Sequence, residues 1–438
     1  MNSKLIGMFL VCALFGGTAV SQMNPAAMMK DGGSLPIGLG ATFIDGETFY
    51  LFNISPELSF GKIGLGLDLN LRMSQSGKLR SGEYETFSDY LHILRYVRYG
   101  AKGEPFYARV GRLDFAMLGH GSIVYLYRNS ASYDLRRTGL ELDVNFEKVG
   151  VEMVYSDVTG KGILGLRASS KPLKFTSLAT IPVINNFEMG VTFATDLHGD
   201  ANKIYGGSDL LSASADKGSL SIYGVDLGLP IVKYSMFSSD LYLDYAKIAG
   251  YGSGLSAGIN LKLSGLGLVT LDAKYERRFS GDKFLPAYFN ALYEKDRFAI
   301  HDTVHFISKA QTLQGITKSE GYYGEAVLSI LGFFKIIAGY QSPVGVSNQG
   351  LLHMETDVPA IPGIVFRAAY DKKNVGELFT FDDNVLMTAE IGYKPMPFLL
   401  VSTVYQRTFA PEKDAGGNTI GFKKQDRIEP KVSIVFNF

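Results

Sequence analysis

Apolar and polar residues alternate one by one along segment after segment of this chain. Leu65, Leu67, Leu69, Leu71 and Met73 alternate with Gly66, Asp68, Asn70 and Arg72. Leu140, Leu142, Val144 and Phe146 alternate with Glu141, Asp143, Asn145 and Glu147. The same period runs through 255–264, through 269–276 and, less strictly, through 385–393. A period of two places successive side chains on opposite faces of a β-strand. Each segment reaches about 9–11 residues, the length that crosses a bilayer at a tilt, against about 5–6 for strands of soluble sheets.

The two faces differ too sharply for a sandwich. One carries Asp68, Asp143, Asp272 and Lys274, which need water, and the other is almost wholly apolar. In lipid, a closed barrel is the way to satisfy every strand hydrogen bond and hide both edges. No fixed repeat marks a solenoid. The expectation is an all-β chain: a single closed antiparallel transmembrane barrel of about 16 strands, within a range of 14–18. Short turns are expected around 60–64, 147–149, 264–267 and 394–397. Long loops are expected at 74–89, 197–217, 279–320, 371–384 and 409–425.

Both ends of the chain fit export to a membrane. Lys4 precedes an apolar run, Leu5 to Gly17, of secretory length and too short to span a bilayer as a helix. Ala19 and Ser21 are small residues at a cleavage site, so residues 1–21 are expected to be removed before Gln22. The single cysteine, Cys12, lies in that run. A mature chain without cysteine offers no disulfide scaffold, no cysteine metal site and no cysteine nucleophile. At the other end, Val432, Ile434, Phe436 and Phe438 are apolar against the polar Lys431, Ser433 and Asn437, and the chain finishes on an aromatic carboxyl terminus. The expected domains are the signal (1–21), a tail or small plug (22–36) and the barrel (37–438), with a helical loop excursion at 281–320.

The formal charge is zero, with 43 basic and 43 acidic residues. No basic field calls for nucleic acid. There is no tryptophan, so interfacial aromatic rows have to come from the 25 tyrosines and 29 phenylalanines. No serine-hydrolase elbow, phosphate loop or calcium loop is present, and an enzyme is not expected. The pair His301 and His305 sits at i, i+4, but Asp302 stands where a zinc-protease motif needs Glu. No cofactor or metal is expected.

The span Leu91 to Arg137 stands apart. It carries Arg95, Arg98, Arg109, Arg112, Lys102, Arg128, Arg136 and Arg137 against Glu104, Asp114 and Asp134, a local balance of +5. Within it, Arg109 to Asp114 leads into Gly119-His120-Gly121 and Tyr125 to Asn129, which breaks the strand period while staying partly apolar. This resembles the inward-folded constriction loop that follows an early strand in general porins. Strand alternation puts Asp68, Arg72, Asp143, Asp272 and Lys274 on the lumen face of the expected pore. Its narrow part would be set by Arg95, Arg98, Arg109, Arg112, Asp114 and Arg128, which screen solutes by charge and size. The plainer alternative is a set of lumen arginines paired with acids on neighbouring strands.

In 281–320, Phe284, Tyr288, Ala291 and Leu292, and again Val304, Phe306, Ile307, Ala310 and Leu313, recur at helical spacing. Two short amphipathic helices that cap the pore or lie at the interface are one reading, and a packed loop is the other. Near the expected mature terminus, Asn24-Pro25-Ala26 is similar to a run near the start of long-chain fatty-acid transporter barrels.

The chain as a whole resembles a porin-like barrel of the Gram-negative outer membrane, with Phe438 as its insertion signal. That resemblance implies partners in outer-membrane lipid and lipopolysaccharide, the barrel-assembly machinery at the last strand, and small solutes, with a homo-oligomer as an open possibility. Three roles follow: passive passage of small polar or charged solutes, gated transport of hydrophobic ligands, or a non-transporting barrel for adhesion, secretion or assembly.

Overall fold

A computed structural model of the chain describes residues 32–438, apart from 82, 131, 133, 135, 206–212, 216–217, 265–268, 301–305, 331–333, 345–349, 359–362, 376–383 and 414–418. The expected signal, most of the 22–36 tail and the His301–His305 pair lie outside the described residues.

The strands form one closed antiparallel sheet. In chain order they are β1 (Gly32–Ile44), β2 (Glu47–Ile54, continuing as Glu57–Phe60), β3 (Ile63–Leu67, continuing as Leu69–Met73), β4 (Leu94–Tyr99), β5 (Phe106–Gly111), β6 (Gly139–Asn145), β7 (Val149–Tyr155), β8 (Ile163–Ser170), β9 (Glu188–Asp196) and β10 (Leu220–Lys233). There follow β11 (Phe237–Ile248), β12 (Ser253–Leu263), β13 (Val269–Ser280), β14 (Ser319–Ile330), β15 (Phe334–Pro343), β16 (Gly350–Val358), β17 (Ile364–Val375), β18 (Val385–Met396), β19 (Leu399–Lys413) and β20 (Thr419–Asn437). Each strand pairs with the next, and β20 returns to β1 with Ile37 opposite Ile434 and Gly40 opposite Lys431.

The barrel therefore has 20 strands, which corrects the expected 16 and lies outside the 14–18 range. Four strands in the first half, β4 to β7, hold only 6 or 7 residues each and fall below the length that reads as a bilayer crossing.

Alternation explains the two surfaces. Along β20, Ile428, Val432, Ile434 and Phe436 are exposed on the outside, while Arg427, Glu429 and Ser433 are buried inside. β3 follows the same rule, with Asn70 and Arg72 inside. Closure leaves no edge and the outer face is apolar, so this is a transmembrane barrel of the outer-membrane type. No helix among the described residues is long and apolar enough to cross a membrane.

Gly33 donates to the carbonyl of Phe438 at 2.8 Å, which places both ends of the described chain at one rim. The expected short turns near Gly61, Lys148 and Pro397 lie at this terminus rim, and the long connections 74–93, 197–219 and 281–318 lie at the other. The division is not strict. Asp45-Gly46 is a tight turn at the far rim, and the terminus rim carries the 17-residue connection 171–187 with three 3₁₀ turns.

Candidate functional site

Two connections from the far rim fold back into the barrel. The first runs from Arg112 to Thr138, between β5 and β6. Leu113, Ala116, Val124 and Tyr127 in it are fully buried. Its reversals use left-handed backbone at Phe115 (φ 67°), Gly119 (φ 54°) and Leu126 (φ 50°). A Cβ at Gly119 would lie 2.8 Å from the Arg167 Nε, so a larger residue there would displace that side chain.

The second segment, 281–318, holds single helical turns at Tyr293–Asp296 and Lys309–Thr312 and a short hairpin of Phe298–Ile300 with Phe306–Ser308. It contains less helix than the spacing of its apolar residues suggested. Phe284, Tyr288, Ala291 and Leu292, read from the sequence as one face, are all buried, as are Ala310 and Leu313.

The two segments join inside the lumen. Ala287 N donates to Ser122 O (2.8 Å), Phe289 N to Ile123 O (3.1 Å) and Tyr125 N to Phe289 O (3.0 Å), a short parallel ladder. Tyr127 donates to Glu294, which also faces Arg137 (3.2 Å) and Arg297 (3.1 Å). On one side the pair packs on Val154, Ile163, Ala194, Leu220, Ile222, Ala246 and Ile248, inward residues of β7 to β11. Arg297 and Tyr293 reach Asp196 of β9 at 2.8 and 2.7 Å.

On the opposite side Arg128 lies 3.3 Å from Asp371 of β17, which binds His353 of β16 at 2.6 Å. Lys373 contacts Asp296, and Leu292 packs with Leu386 and Phe409. The segments thus bridge the lumen from β9 to β19.

Beneath them, toward the terminus rim, is a cavity of about 320 Å³. Its lining includes Ser238, Asp240, Asn260, Lys262, Asp272, Lys274, Glu325 and His353 from the wall, with Met117, His120, Tyr125 and Leu126 from the first segment. Lys274 binds the His120 carbonyl and Glu276 (2.9 Å) and lies 4.3 Å over the Tyr125 ring. The His120 ring stacks on Tyr242 at 4.1 Å. Burial pushes the His120 imidazole down to about 4, so it is neutral near pH 7.

The residues singled out from the sequence fall into several groups. Asp272 and Lys274 face the cavity, with Asp272 3.6 Å from Lys262. Arg112 and Arg109 converge on Asp114 at 3.0 and 3.8 Å. Burial works to raise the Asp114 carboxyl, but Arg112, Arg109 and Arg128 outweigh it and bring it to about 2.

The remaining ones lie apart. Arg95 pairs with Glu57, and Arg98 donates to Gly100 O (2.9 Å) and Ser59 (3.3 Å) near the terminus rim. Arg72 binds Glu429 (2.5 Å) across the β1–β20 seam and Glu83 (3.2 Å) in the connection 74–93. Asp68 accepts from Asn70 (2.8 Å) and faces Arg136 (3.7 Å), and Asp143 lies 3.9 Å from Lys102. Most lumen charges thus sit beside an opposite charge, as in the plainer alternative of paired ladders.

Sequence reading missed the densest of these groups. Arg167 of β8 touches Asp226 at 2.6 Å, Glu152 at 2.5 Å and Glu188 at 3.0 Å. Arg167 does interrupt an apolar run between Leu166 and Ala168, which signals an inward position, but its three partners come from β7, β9 and β10. His353 with Asp371, on neighbouring strands, was missed for the same reason; Glu276 with Arg278, two positions apart on β13, was legible and was also missed. Among the described residues no group of three His, Cys, Asp or Glu side chains is placed to hold a metal ion.

No family model matches the sequence, and no curated protein matches it. Solved structures resemble it at low identity. OprD of Pseudomonas aeruginosa is 11% identical, over 93% of this chain and 96% of its own, with a TM-score of 0.33. The ferric-catecholate import receptor Fiu of Escherichia coli is 10% identical, over 93% and 82%, with a TM-score of 0.37. CdiB of Acinetobacter baumannii is 8% identical with a TM-score of 0.27, and the match covers 96% of this chain but 61% of CdiB. At these values the likeness is one of barrel architecture.

Proposed function

We propose that this barrel is a diffusion channel for small polar or charged solutes in a Gram-negative outer membrane, and not an enzyme. The terminus rim would face the periplasm after export directed by residues 1–21, with insertion guided by the last strand and Phe438. The observation that carries the reading is the charged cavity of about 320 Å³ beneath two inward segments. A wall of ionised side chains replaces part of a solute's hydration, and the inward segments set the width of the path. Arg109, Arg112, Asp114 and Arg128 lie on the first segment or at its root and would act on solutes arriving from the far rim.

One observation favours a gated variant of this reading. The segments meet the wall through an apolar cluster containing Tyr288, Phe289 and Tyr293, so displacing them would open a wider path.

Reconstitution of the refolded barrel in a planar bilayer tests the proposal. Discrete, long-lived openings are expected. Silence from protein with the heat-dependent gel mobility of a folded barrel would reject passive conduction.

A further inference from the structure

At the terminus rim, the connection between β8 and β9 is apolar on its exposed side. Phe175 is 61% exposed, Ile184 45%, Leu178 and Ile181 40% each and Val183 39%. In water such a patch is unfavourable. The segment is nevertheless braced internally. Lys174 N donates to Lys171 O, Ala179 N to Thr176 O, Ile181 N to Leu178 O and Phe187 N to Ile184 O, all at 3.0–3.1 Å. The Asn185 amide reaches Ala179 O at 3.0 Å.

Val183 has φ 70° and ψ −64°, and Ile184 N donates to Pro182 O at 2.8 Å. This is a strained γ-turn at a β-branched residue. The chain accepts the strain while leaving Val183 partly exposed.

Three observations indicate what covers this patch. The patch continues the lipid-facing surface, since Phe146, Val149, Val151, Met189 and Val191 on adjoining strands and turns are likewise exposed and apolar. No acidic residue occurs from Lys171 to Phe187, and the nearest carboxylates are at its borders, Glu188 3.6 Å from Lys171 and Glu147 2.9 Å from Lys174. Lys171 and Lys174 stand beside the apolar residues, with Lys148 5.0 Å over the Phe175 ring. Internally satisfied backbone, apolar side chains and flanking lysines are the combination that suits the headgroup boundary of a monolayer.

We propose that residues 171–187 are an interfacial anchor lying in the phospholipid headgroup layer at the terminus rim. Phe175, Leu178, Ile181, Val183 and Ile184 enter the acyl boundary, and Lys171 and Lys174 sit at phosphate level. The proposal rests on the membrane-barrel fold and is independent of conduction.

The chain has no tryptophan, so one introduced indole reports alone. Full-length F175W and L178W are refolded into phosphatidylcholine vesicles, with and without bromine near the carbonyl end of the acyl chains. Y223W, at an exposed position on the outer face of β10, serves as the lipid reference. Emission of F175W and L178W is expected to fall at least about twofold in brominated vesicles, as for Y223W, and to resist aqueous iodide. Emission that ignores bromine and is quenched by iodide would overturn the anchor and leave a soluble partner as the occupant. If either variant fails to refold, I184W gives the same readout.

Discussion

Phe289 is the point at which the inward segments can be loosened from each other and from the apolar wall residues of β7 to β11 without changing a wall residue. It is 0% exposed. Its ring meets Tyr288 at 5.3 Å and Tyr293 at 4.8 Å, in the cluster that includes Val124 and the inward residues of β7 to β11. F289A keeps both backbone bonds to the first segment and deletes only the ring. Truncating a buried phenylalanine costs about 3–5 kcal/mol. With a factor of ten for each ~1.4 kcal/mol, the docking equilibrium should shift by roughly 10² to 4 × 10³-fold.

The wall ladder is intact in F289A, so the loss falls on docking of the segments. Trypsin reads it directly, because Arg297 and Lys309 are 3% and 8% exposed when the segment is docked. When opening is fast, cleavage at such sites follows the open population. Cleavage after Arg297 and Lys309 in F289A should therefore accelerate by about 10²-fold or more, with barrel gel mobility unchanged. Bilayer recordings should show larger or noisier currents. Parent-like trypsin resistance together with parent-like currents would refute the view that this ring holds a separable pair of segments.

Three further outcomes follow from the lumen charges. R167A removes the cation that Asp226, Glu152 and Glu188 share and leaves them Lys171, 3.6 Å from Glu188, and removing one member of a buried charge group costs about 3–5 kcal/mol; the temperature at which the folded gel band disappears should drop, and an unchanged temperature would count against the network. Lys309 lies buried against Tyr288 O at 2.6 Å, and burial lowers its ammonium from 10.5 to about 8. The docked state therefore binds fewer protons than the undocked state between these values, so docking tightens as pH rises from about 8 to 10.5; subtilisin cleavage of 281–318 should slow across that window in the parent and not in K309M. R109E/R112E reverses two charges beside Asp114 and should move the reversal potential toward cation selectivity, and an unchanged potential would take these arginines off the solute path.

Much of the wall was legible because period-two alternation is a local property. Leu65 to Met73 and Leu255 to Leu263 each show their lipid and lumen faces without knowledge of a partner. The strand count was less legible for two physical reasons. β5 and β6 are short because the chain leaves the wall after Gly111 to fold inward and returns to it at Gly139, and β4 and β7 pair along these short strands. In β8 to β11 the far-rim half presents Ile163, Ala194, Leu220, Ile222, Ala246 and Ile248 to an internal apolar cluster, so the polar phase that marks a lumen face is lost there. The arginine content of Leu91 to Arg137 was plain, but its partners were not. Glu294 for Arg137 and Asp371 for Arg128 lie more than 150 positions away, and pairing at that separation leaves no trace in spacing.

The seam between β1 and β20 governs how the chain can assemble. Every other wall pair joins strands consecutive in the chain, whose loop-closure entropy is modest. At the seam, Thr42 meets Glu429, 387 positions away. Hairpins can therefore form early and add one after another, while the final pairing waits for the last segment to arrive. Until it does, the nascent sheet keeps two open edges of unpaired amides and carbonyls, which lipid cannot satisfy. β20 is the longest strand, with 19 residues, and bonds along both flanks. Removing it would leave no smaller ring behind, only an open ribbon exposed to aggregation.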